Sequence, residues 1–96
     1  MISETTIRKV RELAIEDVLS PYVRLSRKGS TLMGLCPFHT EKTGSFAVTP
    51  GKNLFHCFSC NRGGDSITFI MEKENLSFSA AVEFIARNHN IPVEYV

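Results

Sequence analysis

Four residues of this chain fall into two pairs with identical internal spacing. Cys36-Pro37-Phe38-His39 and Cys57-Phe58-Ser59-Cys60 each place two residues between their ends, and 17 residues separate His39 from Cys57. A two-residue gap lets the chain turn tightly and aim both side chains at one ion. Two such knuckles supply the four corners of a tetrahedron, the arrangement of a structural zinc site. Thiolates suit zinc, and four protein ligands leave no open position for a substrate. The pairs use all three cysteines of the chain, an odd number that a disulfide scaffold cannot pair internally. The expected cofactor is therefore one structural Zn2+ held by Cys36, His39, Cys57 and Cys60.

Rival readings of these residues fare worse. A redox pair at Cys57 and Cys60 would open a helix within a βαβ unit. Here the pair follows a strand pattern and runs into Asn61-Arg62-Gly63-Gly64. A catalytic zinc needs an open coordination position and a neighbouring general base, and four matched ligands argue against it. His56 precedes Cys57 directly, so strand alternation turns it away from the ion that Cys57 binds. His89 lies on an apolar helical face and reads as a packed structural histidine.

The rest of the chain is ordinary for a small globular protein. At 96 residues it forms one domain at most, with 43% hydrophobic and 22% charged residues. No apolar run is long enough for a membrane span. The polar Met1-Ile2-Ser3-Glu4 start is unlike a secretory signal, so the expected compartment is the cytoplasm.

Apolar spacing predicts helix in two early runs: Ile7, Val10 and Ala14, then Ile15, Val18, Leu19 and Tyr22, with Pro21 ending the second. Tyr22–Ser26 and Thr31–Leu35 read as a hairpin around Arg27-Lys28-Gly29-Ser30. Ser45–Thr49 and Asn53–Cys57 read as a second hairpin across Pro50-Gly51-Lys52. Asp65 is positioned to cap a helix carrying Ile67, Ile70 and Met71. Ser77 can cap a last helix whose face holds Phe78, Ala81, Val82, Ile85, Ala86 and His89, closed by Pro92. The expected fold is α+β, a small zinc ribbon. Its antiparallel sheet and knuckles span residues 22–62, with helices before it and over residues 65–90.

Charge is distributed unevenly. Residues 22–62 carry Arg24, Arg27, Lys28, Lys42, Lys52 and Arg62 against Glu41 alone, a net +5. The first 21 residues net −1 and residues 63–96 net −3. A basic middle of this kind suits a polyanion.

The combined motifs resemble one family closely. Cys36-Pro37-Phe38-His39, Glu41-Lys42-Thr43, Ser45-Phe46, His56-Cys57-Phe58-Ser59-Cys60 and Gly63-Gly64-Asp65 are similar to the N-terminal zinc-binding domain of bacterial DnaG-type DNA primases. Leu76-Ser77-Phe78 through Ala86 fits that family's last helix, and the resemblance covers nearly the whole chain. Two positions depart from the pattern. Gly44 replaces a usual proline. Asn61 replaces a frequent glycine, but asparagine tolerates a left-handed backbone.

The resemblance implies a ribbon whose sheet contacts single-stranded template DNA and helps choose where RNA primers start. Primer synthesis would belong to a following Toprim-type polymerase domain, in cis or in trans, with a replicative helicase as a further partner. This chain has no dense carboxylate constellation to hold Mg2+, so catalysis is not expected from it alone. Single-strand binders combine a basic track with aromatic platforms. Lys28, Lys42 and Phe46 lead the expected DNA contacts, followed by Arg24, Arg27, Lys52, Phe55 and Arg62, with Phe58 as a further aromatic in the same segment. Because Phe46 and Val48 share a strand face and one such face must be buried, some of these phenylalanines can instead form the core behind the sheet. A protein-docking zinc ribbon of a replication protein from a plasmid, phage or mobile element, without direct DNA contact, is the alternative.

Overall fold

The computed structural model describes residues 1–38 and 44–96. Two short helices come first, α1 (Glu4–Glu12) and α2 (Ile15–Leu19). The strands β1 (Ser26–Lys28), β2 (Thr31–Gly34), β3 (Phe46–Thr49), β4 (Leu54–Cys57) and β5 (Gly63–Gly64) follow, then α3 (Ser66–Glu74) and α4 (Phe78–Asn88). Among the described residues no helix is long and apolar enough to cross a membrane.

Local chemistry sets most of these boundaries. Ser3, Asp65 and Ser77 each accept a hydrogen bond from the backbone N–H three residues on, capping α1, α3 and α4. Asn75 ends α3 in the left-handed conformation. The second helix stops at Leu19, before Pro21.

The strands form one antiparallel sheet in chain order. Its first hairpin is tighter than the sequence pattern suggests. Lys28 pairs with Thr31, leaving only Gly29 and Ser30 to turn the chain. Gly29 adopts φ +65° at the first central position, as a two-residue hairpin turn requires. Arg27 and Lys28 are therefore strand residues, while Tyr22–Leu25 forms no strand.

The pleat divides the sheet into two unlike faces. Phe46, Val48, Phe55 and Cys57 point inward and join the core. Phe46 stacks on Phe55, and Phe69 of α3 meets both rings edge-on. Ile67, Ile70, Ala81, Val82 and Ile85 of α3 and α4 complete this layer with Val10, Ile15 and Leu19. On the opposite face, register aligns Ser26, Met33, Ala47, His56 and Gly63 across the five strands. Arg24, Lys28, Leu54 and Phe58 on this side are exposed.

Two further ties close the structure. The Asn53 side chain accepts from the Ile15 N–H and donates to the Arg11 and Leu13 carbonyls. It thereby fastens the β3–β4 loop to the junction of α1 and α2. Near the termini, Ile2 bridges Tyr95 and the buried Thr6 hydroxyl accepts from the Glu94 N–H.

Candidate metal centre

Strand direction brings the two knuckles together. The chain runs the same way along β2 and β4, because each is antiparallel to the β3 between them. Cys36 follows the end of β2 and Cys57 ends β4, so both emerge at the same end of the sheet's strands. The second knuckle then curls back on itself. The Asn61 N–H donates to the Cys57 carbonyl and the Cys57 N–H to the Arg62 carbonyl, each at 2.8 Å. Asn61 takes φ +61°, the left-handed conformation expected of asparagine at this position.

Three sulfurs converge as a result. The Sγ atoms of Cys36, Cys57 and Cys60 all lie within 4.8 Å of one another. A tetrahedron with Zn–S bonds of about 2.3 Å has sulfur–sulfur edges of about 3.8 Å. Cys36 Sγ and Cys60 Sγ are 3.8 Å apart. The donor set and its spacing fit zinc. His39 and Lys42 lie outside the described residues. His56 is not part of the cluster; its ring sits 4.7 Å from that of Phe58.

Cys36 and Cys57 are shifted in opposite directions. Burial pushes Cys36 up to about 12 against the backbone N–H of Phe38, and the neighbouring thiols of Cys57 and Cys60 add to the rise. Burial also works against the Cys57 thiolate. Hydrogen bonds from the Cys60 N–H, the two other thiols and the Ser59 N–H outweigh it and lower the Cys57 value. A divalent cation held by Cys36, Cys57 and Cys60 would relieve this conflict by stabilising their thiolates.

The first knuckle is anchored to α3. Lys73 Nζ donates to the Pro37 carbonyl at 3.1 Å. The Phe38 ring packs on Phe69 and Phe55. The Arg62 guanidinium lies 5.0 Å over Phe38 and 3.7 Å from a Glu72 carboxylate oxygen. These contacts had no signal in the local sequence pattern.

The expected DNA contacts separate into groups. Phe46 and Phe55 are corrected: both are core residues, at 0% and 2% exposure, and have no face free to stack on a base. The helix α3 covers their side of the sheet. Arg62 is engaged by Phe38 and Glu72. Arg24, Arg27, Lys28 and Lys52 are exposed. Arg24 and Lys28 line a shallow depression with Ser26, Met33 and Leu35 on the uncovered face. Lys52 occupies the β3–β4 loop. Among the aromatics named in the basic segment, Phe58 is the exposed one, at 70%. Strand alternation from His56 was the available signal for its outward direction.

Comparison with known proteins agrees with this geometry. The CHC2 zinc finger family model matches residues 2–96. A DNA primase from Streptomyces coelicolor is 46% identical over 96 residues, covering 98% of this chain and 15% of that protein. A DNA primase from Helicobacter pylori is 45% identical over 96 residues, covering 99% of this chain and 17% of its own length. The crystal structure of the zinc-binding and RNA polymerase domains of Aquifex aeolicus primase superposes with a TM-score of 0.83 at 37% identity. That match covers 95% of this chain and 22% of the Aquifex chain. The present chain thus spans about 15% of the length of the primases it resembles. With the matched sequence, the ribbon fold and the thiol cluster in agreement, the chain belongs to the CHC2 zinc finger family, as a zinc-binding domain of the DNA-primase type.

Proposed function

We propose that this chain is the template-contacting module of a primase, binding single-stranded DNA without catalysing any step. The observation that carries this reading is the two-faced sheet. One face is buried under helices, whereas among the described residues no helix covers the other, which is edged by Arg24 and Lys28 and bears exposed Phe58. A cationic edge beside an aromatic platform suits a single strand. Lys42 belongs with this set through its place in the family motif.

One zinc ion would be held by Cys36, Cys57, Cys60 and His39. The ion supplies a cross-link between the ends of β2 and β4, and its closed ligand shell leaves no coordination site for a substrate. The chain's own residues orient the strand, and RNA synthesis falls to a Toprim-type polymerase domain in cis or in trans. The Aquifex structure, which joins a zinc-binding to an RNA polymerase domain, supports that division. A replicative helicase is the further partner implied by membership of a replication complex, which would act in the cytoplasm.

Salt-dependent binding of the zinc-loaded chain to single-stranded oligonucleotides tests the reading. Each lysine or arginine contact to phosphate contributes about −0.7 to the slope of log affinity against log salt. Lys28→Ala should weaken binding and flatten the slope by about one contact, and Lys42→Ala should do the same. Absence of salt-dependent binding to any oligonucleotide at low salt would overturn it in favour of a protein-docking ribbon.

A further inference from the structure

The uncovered face is not uniform. Its cationic edge lies on and beside β1, while its aromatic element stands three strands away on β4, roughly 14 Å across the sheet. There the ladder continues one residue past the strand end, since the Phe58 N–H donates to the Ser45 carbonyl. Pleat alternation therefore puts Phe58 on the same side as His56. Their rings meet edge to face, with centroids 4.7 Å apart and planes at 64°. The residues directly opposite His56 on the two neighbouring strands are Ala47 and Gly63. A Cβ at Gly63 would come within 3.0 Å of the His56 ring. Small neighbours thus leave His56 room to stand upright beside Phe58.

Phe58 itself is anomalous by burial. It is 70% exposed while Phe46, Phe55 and Phe69 are buried; the other exposed aromatics, Phe78 and Tyr95, lie away from the sheet, on α4 and near the C-terminus. It also lies inside the second knuckle, where Cys57, the Ser45 carbonyl and the turn to Asn61 fix its backbone. A large flat side chain on a hydrogen-bonded backbone, with a neighbouring ring against its edge, loses less conformational entropy when a flat ligand stacks on it than a freely moving one.

We infer that Phe58, buttressed by His56, is the stacking site for one unpaired nucleobase of the bound strand. This inference rests on the DNA-binding reading above and adds the residue that recognises base rather than phosphate. Stacking of this kind is sequence-tolerant, because every base presents a π-face. The site would therefore hold a strand in register without selecting a particular base.

A base-against-backbone comparison tests it. The zinc-loaded chain is titrated with a short labelled oligodeoxythymidine and with an abasic strand of equal length and charge. Wild type should bind the thymidine strand more tightly by about five- to a hundredfold. Phe58→Ala should abolish most of that preference while keeping the salt slope, and Phe58→Tyr should restore it. Zinc content and melting temperature, measured on the same samples, should match wild type, since the truncated ring lies in solvent. Equal binding of both strands by wild type, with normal salt dependence, overturns the stacking site and leaves the DNA reading intact. Retention of the full preference by Phe58→Ala overturns the stacking site in the same way. Failure of wild type to bind either strand removes both.

Discussion

Cys57 serves the core and the metal centre at once. Its side chain is fully buried among the phenylalanines, yet its sulfur belongs to the thiol cluster. Cys36 is nearly as buried, and burial holds its thiol protonated at neutral pH, with a value of about 12 before metal arrives. Zinc loading must displace that proton. The sign follows: affinity should rise with pH across the neutral range, about tenfold per unit for each proton displaced. Competition against a metal indicator at several pH values measures this, and a flat profile would contradict it. The fourth ligand is tested at the same scale. His39→Ala should lower zinc affinity severely, whereas His56→Ala should retain one zinc per chain. Metal analysis of the two purified variants decides between them, and the reverse pattern would reassign the ligand.

At the scale of the elements, the decisive contacts are those that join pieces distant in sequence. Asn53 is the clearest case. Its amide bonds to residues 38 to 42 positions away, satisfying the end of α1 and the start of α2 together. Ala14, the residue at the N-cap of α2, contributes no side-chain cap of its own. Asn53→Ala should therefore cost about 1–3 kcal/mol. Each kilocalorie lowers the melting temperature of a domain this size by about 4–8 °C. Thermal melts of zinc-loaded protein should show that loss with zinc content unchanged, and an unshifted melt would mean solvent replaces the amide freely. The caps at Asp65 and Ser77, the left-handed Asn61 and the grouping of Cys36 with Cys57 and Cys60 were legible in the sequence because each follows from local spacing. Asn53, Lys73 and Arg62 were not, since their partners are set by tertiary packing. The same limit explains Phe46 and Phe55. Alternation showed that one strand face must be buried, but only the seating of Phe69 from α3 decided which. The first hairpin was displaced for a simpler reason: with Gly29 at a positive φ, two residues suffice to turn the chain, so the strand extends through Lys28.

The whole molecule combines a helical layer that can pack with itself and a sheet whose strand ends converge on the metal centre. Its strands are short, from two to four residues. Such strands gain little from pairing alone and depend on the core and the cross-link. A zinc ion held by the cluster would join the end of β2 to the end of β4, so its removal should free two of the three central strands at once. Removal also leaves Cys36 and Cys57 without a cation in a site where burial opposes their charge. The helices α3 and α4 stand differently. At 9 and 11 residues each is too short to persist alone. Ile67, Ile70, Ala81, Val82 and Ile85 nevertheless give them a shared apolar layer that does not pass through the metal. Chelation should accordingly strip hydrogen-exchange protection from the amides of β2, β3 and β4 while part of the helical circular dichroism survives. Restoring zinc should restore the sheet. Strand amides that stay equally protected without metal would show that the aromatic layer of Phe46, Phe55 and Phe69 holds the sheet by itself. Simultaneous loss of all helical signal would show that α3 and α4 depend on the sheet for more than the apolar layer they share. The expected intermediate behaviour follows from where Cys57 sits, on the boundary between that layer and the metal.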